Sequence, residues 1–178
     1  MYAGLFRTFA RVIDFEGENL PTEFLLLKHG VNDTSKGPII FDDEAARLVM
    51  SEYQRSGVDL AIDLNHEMLD SATMRMRRDA GDALGWFNIE MRGKDLWMVN
   101  IRWNPEGRER LLSRKQRYFS PAVAHLKDSD RAIELVNVAL VARPATYDAT
   151  PLIAASRVGD KRERARAYVR RAGGNWKD

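Results

Sequence analysis

The chain has 178 residues, 44% of them hydrophobic and 30% charged, with a formal net charge of +2; that is enough apolar material for one substantial core, near the usual size of a single domain. It contains no cysteine, which excludes a disulfide framework, a thiolate nucleophile and a cysteine-rich zinc site, so any covalent catalysis must use oxygen or lysine. No run approaches the roughly eighteen apolar residues needed to span a bilayer, and Met1-Tyr2-Ala3-Gly4-Leu5-Phe6-Arg7 lacks the basic-then-apolar order of a signal peptide, so a soluble, unexported protein is expected.

In chain order, Leu5 to Ile13 and Glu23 to Gly30 are apolar runs of strand length, separated by Gly17 and Pro21. From Phe41 to Tyr53 an Asp cap precedes apolar residues at helical spacing and Gly57 closes the segment, which predicts an amphipathic helix. Val58 to His66 alternates at period two for much of its length, predicting a strand that ends at His66. The polar stretch from Glu67 to Asp82 reads as a loop and a candidate flap. Gly85 to Met91, the turn Arg92-Gly93-Lys94-Asp95, and Leu96 to Trp103 form a hairpin pattern.

Asn104-Pro105 then opens a helix running to about Lys115, with Asn at the cap and Pro at the first helical position. Two further strands, Tyr118 to Leu126 and Ile133 to Ala142, are joined by a polar turn. The fold class is therefore α+β and β-dominated, a mostly antiparallel β barrel or curved sheet surrounded by a few helices. From Arg157 onward the chain carries a net charge of +5, leaving the first 156 residues at −3. The expected division is a domain over 1–156 and a basic helical or disordered tail over 157–178. Such a tail is either a solvated terminus or a contact for nucleic acid or an acidic partner.

The chain has three histidines, His29, His66 and His125, so a Ser-His mechanism has few possible arrangements. If Ser120 and His125 share a strand, their odd separation puts them on opposite faces, and five residues at about 3.3 Å each put them roughly 16 Å apart. His29, at a strand-to-loop exit beside Lys28, reads as a surface histidine. His66 lies among Asp63, Asn65 and Glu67, which could orient an imidazole or bind a metal, although no second His stands at metal-site spacing. Ser120 precedes Pro121, which biases it toward extended backbone and removes an amide donor. Two readings stay open: a proline that simply starts or bends a strand, or a strand edge beside a nucleophile, where a substrate could pair by strand addition.

Asn137 is the polar residue inside the apolar run from Leu135 to Ala142. A buried amide without partners costs on the order of 1 to 3 kcal/mol, so it needs a specific hydrogen bond. That bond either braces the core or fixes the tautomer of His66. Glu134 competes for the second role; the odd separation predicts that it and Asn137 face opposite sides.

The order Asp-x-Asn-His at 63–66, Gly85-Trp86, Asn104-Pro105, Arg117-Tyr118-Phe119-Ser120-Pro121 and Asn137-Val138-Ala139-Leu140-Val141-Ala142-Arg143-Pro144-Ala145 resembles the Mu-like phage I protein family of prohead maturation proteases. The resemblance covers about residues 1 to 155. The family is similar in turn to phage prohead and herpesvirus maturation serine proteases, β barrels surrounded by helices. The resemblance implies His66 as base and Ser120 as nucleophile. The third position, often His or Glu in related branches, falls on Asn137. It also implies oxyanion-hole amides near Arg143 and Ala145, since Pro144 has no N–H.

The resemblance further implies a serine endopeptidase that needs no cofactor and no metal. It would cleave phage scaffold protein, major capsid protein and itself inside the assembling prohead in the host cytoplasm, as a homodimer or higher oligomer, without a membrane partner. The alternative is a non-catalytic assembly or scaffold-binding module that keeps the protease fold. A metal-dependent site at Asp63, His66 and Glu67 would instead be sensitive to chelators.

Overall fold

The computed structural model describes residues 20–34, 36–70, 81–126 and 129–142, together with the backbone of residues 5–8. The elements are β1 (Leu5–Thr8), β2 (Phe24–Leu27), β3 (Gly30–Asn32), β4 (Ile39–Phe41), α1 (Asp43–Ser56), β5 (Leu60–Leu64), β6 (Gly85–Arg92), β7 (Asp95–Trp103), α2 (Pro105–Leu112), β8 (Tyr118–His125) and β9 (Ala132–Val141). Seven strands form one sheet in the order β1-β8-β9-β5-β6-β7-β2, and β3 and β4 form a separate hairpin. All pairs are antiparallel except β5 with β9. The expected β-dominated α+β class, mostly antiparallel, is what forms.

Local chemistry explains the element boundaries. Asp42 caps α1 by accepting from the Ala45 amide at 2.9 Å, and Gly57 ends the helix in the left-handed region with φ 63°. Asn104 caps α2 by accepting from the Gly107 amide at 2.7 Å, with Pro105 at the first helical position. The β6–β7 turn uses Gly93 at φ 61°, a conformation glycine adopts without a Cβ penalty.

The sheet curls into a nearly closed barrel because its two distant flanks meet in one core. Phe24 on β2 and Phe119 on β8 pack with ring centroids 5.3 Å apart, and Trp103 at the end of β7 stacks on Phe119 at 5.8 Å. Phe119 is fully buried. The Trp103 indole N–H donates to the Pro21 carbonyl at 3.0 Å, which ties the segment entering β2 to the same cluster.

Several expectations change. The run from Glu23 to Gly30 is not one strand: β2 ends at Leu27, Gly30 turns at φ 101°, and the Asn32 amide donates back to the carbonyls of Lys28 and Gly30. Helix α2 stops at Leu112 rather than near Lys115. Pro121 does not mark an outer strand, because β8 lies between β9 and β1. The described β1 ladder runs from Leu5 opposite His125 to Thr8 opposite Ala122. Pro121 is the next position, so its missing N–H falls at the end of that ladder rather than within it. Residues 9–13 of the first expected strand, residues 71–80 of the expected flap, and the tail 157–178 lie outside the described residues.

The contact between α2 and the loop before β6 yields a test. A Cβ added at Gly107 would lie 2.2 Å from the Leu84 carbonyl oxygen, which already accepts from the Asn104 amide at 3.0 Å. In an open helix Gly→Ala stabilises by up to about 1 kcal/mol. Here the sign reverses: Gly107→Ala is expected to destabilise by about 1 to 3 kcal/mol through overpacking, read as a lower thermal unfolding midpoint.

Candidate functional site

Three strand ends converge at one end of the sheet. Because β8 and β9 are antiparallel, the start of β8 lies beside the end of β9, with Phe119 opposite Leu140 and Ser120 opposite Ala139. Because β5 runs parallel to β9, its end arrives at the same place, with Asp63 opposite Ala139 and Leu64 opposite Leu140. Side chains alternate between faces. Ile62, Phe119, Val138 and Leu140 therefore point into the apolar core, whereas Asp63, Ser120, Ala139 and Asn137 share the other face. Ala139 sits at the centre of that group, fully buried and with only a methyl to accommodate.

His66 reaches the group through a sharp reversal after β5. Asn65 and His66 are both left-handed, with φ 52° and 62°, a conformation that costs a non-glycine residue about 1 to 2 kcal/mol. The reversal is held by hydrogen bonds: the Glu67 amide donates to the Leu64 carbonyl at 2.9 Å and the Leu69 amide to the His66 carbonyl at 3.0 Å. The Met68 amide donates to Asp63 Oδ2 at 2.9 Å. The Asn65 amide extends the parallel ladder by donating to the Leu140 carbonyl at 3.1 Å.

The imidazole thus turned makes two side-chain contacts. Its Nε2 lies 3.0 Å from Ser120 Oγ, and its Nδ1 lies 3.3 Å from Asn137 Oδ1. An amide oxygen can only accept, so this arrangement puts the proton on Nδ1 and leaves the Nε2 lone pair facing the serine hydroxyl. Burial pulls the His66 pKa from 6.5 down to about 4; the hydrogen bond to Asn137 opposes that shift, and the charge of Lys36 adds to it. The ring is neutral at neutral pH. Asp63, almost fully buried, moves the other way. Burial raises its carboxyl from 3.8 to about 6, against the Met68 amide, Asn137 and the His66 amide, with the charge of Glu67 reinforcing the rise.

Of the residues singled out in the sequence, Ser120, His66 and Asn137 come together. Glu134 does not join them: it is exposed on β9, and its charge acts on Arg55 of α1. Parity alone could not have decided this, because the β8–β9 register shifts between Ala122 and Val123 and again between Ala124 and His125. His125 is buried, with its Nδ1–H shared between the carbonyls of Leu126 at 2.9 Å and Ser129 at 3.0 Å. His29 is exposed and its Nε2 lies 2.9 Å from Asp43 Oδ1, an acidic partner supplied by α1. Arg143 and Ala145, the expected oxyanion-hole positions, lie outside the described residues. A metal at Asp63, His66 and Glu67 would have to displace existing bonds, since both ring nitrogens of His66 and Asp63 Oδ2 are already engaged.

Residues 25–153, well over half of the chain, match the family model of the Mu-like prophage I protein, N-terminal domain. No curated protein and no solved structure matches the chain significantly.

The opposed shifts of His66 and Asp63 predict a pH signature. A histidine with a lowered folded pKa makes stability rise with pH between about 4 and 6.5, because the unfolded chain binds the extra proton there. A carboxyl with a raised folded pKa makes stability fall as pH rises from 3.8 to about 6. In the wild type the two slopes oppose each other. In His66→Ala the opposing histidine slope is gone, and above about pH 4.5 the carboxylates with lowered pKa values (Glu23, Asp42, Asp43, Glu44 and Glu52) no longer contribute a rise, so chemical denaturation is expected to show stability declining as pH rises from about 4.5 to 6, with the wild-type curve flatter.

Proposed function

This chain belongs to the Mu-like prophage I protein family, and we propose that it is a serine endopeptidase that matures the phage prohead. Its substrates are the scaffold protein, the major capsid protein and the protease itself, and it acts inside the prohead assembling in the host cytoplasm. The observation that carries this reading is the hydrogen-bonded line Ser120 Oγ, His66 Nε2, His66 Nδ1, Asn137 Oδ1, with spacings of 3.0 and 3.3 Å. It is the arrangement a serine needs to be activated by a neutral imidazole of the correct tautomer.

In the proposed cycle His66 Nε2 takes the Ser120 hydroxyl proton as Oγ attacks the substrate carbonyl carbon. The proton then passes from Nε2 to the leaving amine, and the C–N bond breaks to leave an acyl-enzyme. Water then attacks the acyl carbon as His66 Nε2 takes its proton, and that proton passes to Ser120 Oγ as the C–Oγ bond breaks, releasing the acid product and the free serine. Backbone amides at Arg143 and Ala145 are the proposed donors to the oxyanion. The low pKa of His66 has a twofold effect. The base is available well into the acid range, but a neutral amide stabilises the imidazolium that forms less than a carboxylate would. A homodimer or higher oligomer is the proposed working state.

Co-expression with the candidate scaffold and capsid proteins tests the reading. Ser120→Ala and His66→Ala are each expected to cut processing by about 10^4-fold or more, leaving uncleaved substrates on a gel. Undiminished processing in either variant would contradict it.

A further inference from the structure

We propose that Asp63 is a positioning residue for the Ser120 and His66 pair: its Oδ1 accepts the Asn137 side-chain N–H while its Oδ2 holds the turn that carries His66. The consequence for catalysis rests on the protease reading above, but the placement of the groups does not.

The strand register supplies the geometry. Asp63 on β5 and Ser120 on β8 flank Ala139 of β9 from opposite sides. Asn137 is two residues from Ala139 and therefore on the same face. Ala139, between them in the register, carries only a methyl group. The second oxygen of the carboxyl is already committed, accepting from the Met68 amide at 2.9 Å in the reversal after His66.

Two buried polar atoms point the same way. Among the described residues, Asp63 Oδ1 and Asn137 Nδ2 are both buried and neither meets a partner at hydrogen-bond geometry. One is an acceptor, the other a donor, and burial makes each costly to leave alone. Asn137 is also among the groups that favour the ionised form of Asp63.

Pairing them has a definite effect on His66. An Asn whose N–H group is held by a carboxylate must present its oxygen to the ring, so Nδ1 must carry the proton and Nε2 must face Ser120 as an acceptor. Without the carboxylate the amide can flip. Its N–H then faces the ring, the imidazole takes the other tautomer, and an Nε2–H pointed at the serine cannot receive a proton. Asp63 thus determines which way the amide points and holds the turn that places the ring.

A reciprocal exchange separates this role from that of a residue that merely stabilises the fold. Asp63→Asn has one acceptor where two donors need one, so either the turn or the Asn137 amide loses its partner. The double variant Asp63→Asn with Asn137→Asp restores every donor–acceptor match: residue 63 accepts from Met68 and donates to residue 137, which accepts from His66. The measurements are the His66 tautomer by 15N NMR and processing kinetics in the full chain. The wild type is expected to show Nδ1–H. Asp63→Asn is expected to lose that tautomer and about 10- to 100-fold in kcat, with KM little changed. The double variant should regain the tautomer and most of the rate.

Retention of Nδ1–H and wild-type kcat in Asp63→Asn would overturn the proposal, as would a double variant no better than the single one. If Asp63→Asn does not fold, a folded double variant with Nδ1–H supports the proposal, and failure of both to fold overturns it. An Asp63-dependent tautomer in a protein that cleaves no peptide would overturn the protease reading and leave this one standing.

Discussion

The parallel pairing of β5 with β9 is the constraint on which the candidate site depends. An antiparallel β5 would deliver its far end, and the reversal at Asn65 and His66, to the opposite end of the sheet from Ser120. With β5 parallel, Leu64 lies opposite Leu140, and the Asn65 amide continues the ladder to the Leu140 carbonyl at 3.1 Å. The imidazole is therefore brought to this end of the sheet by the strand ladder, and the reversal that aims it is held by backbone hydrogen bonds together with Asp63 Oδ2. A single parallel pair in an otherwise antiparallel sheet needs a long crossover, and here β6, β7, α2 and β8 all intervene between β5 and β9.

The two faces of the sheet at this point do different work. On the inner face Ile62, Phe119, Val138 and Leu140 join the apolar cluster that closes the barrel, and their burial sets the register. On the outer face the residues are small or polar, and the same register lines up Asp63, Ala139, Ser120 and Asn137. A one-residue slip would exchange the two faces, driving the polar set into the apolar core and taking the apolar set out of it. The energy that keeps the site in register therefore comes from the hydrophobic core rather than from the site. The site itself carries costs: two left-handed non-glycine residues and two buried titratable groups whose burial disfavours charge on each. Such local cost is sustained where the surroundings over-determine it.

What could be read from the sequence divides along the same lines. Both helices and the β6–β7 hairpin are written in local chemistry, in the caps Asp42 and Asn104, in Gly57 and Gly93, and in alternation, so they were legible. So was the isolation of His125 from Ser120, which needs only strand geometry. The β3–β4 hairpin was missed because three-residue strands are too short to show a period, and Gly30 reads equally well as the end of β2. Pro121 misled because a missing N–H says nothing about which neighbour it would have met. The choice between Asn137 and Glu134 was not decidable by parity, since two register shifts between β8 and β9 interrupt the alternation. Asp63 was visible only as one of several acidic neighbours of His66. Its relation to Asn137 depends on which strands lie side by side, a non-local property that no spacing within β5 encodes.

The central claim, that Ser120 is a nucleophile activated by His66, is tested most directly by labelling the chain within assembled proheads with a fluorophosphonate and mapping the adduct by mass spectrometry. A single phosphonylated residue, Ser120, is expected, with labelling lost when His66 is replaced by alanine. An unmodified Ser120, or labelling that proceeds equally well without His66, would contradict the claim.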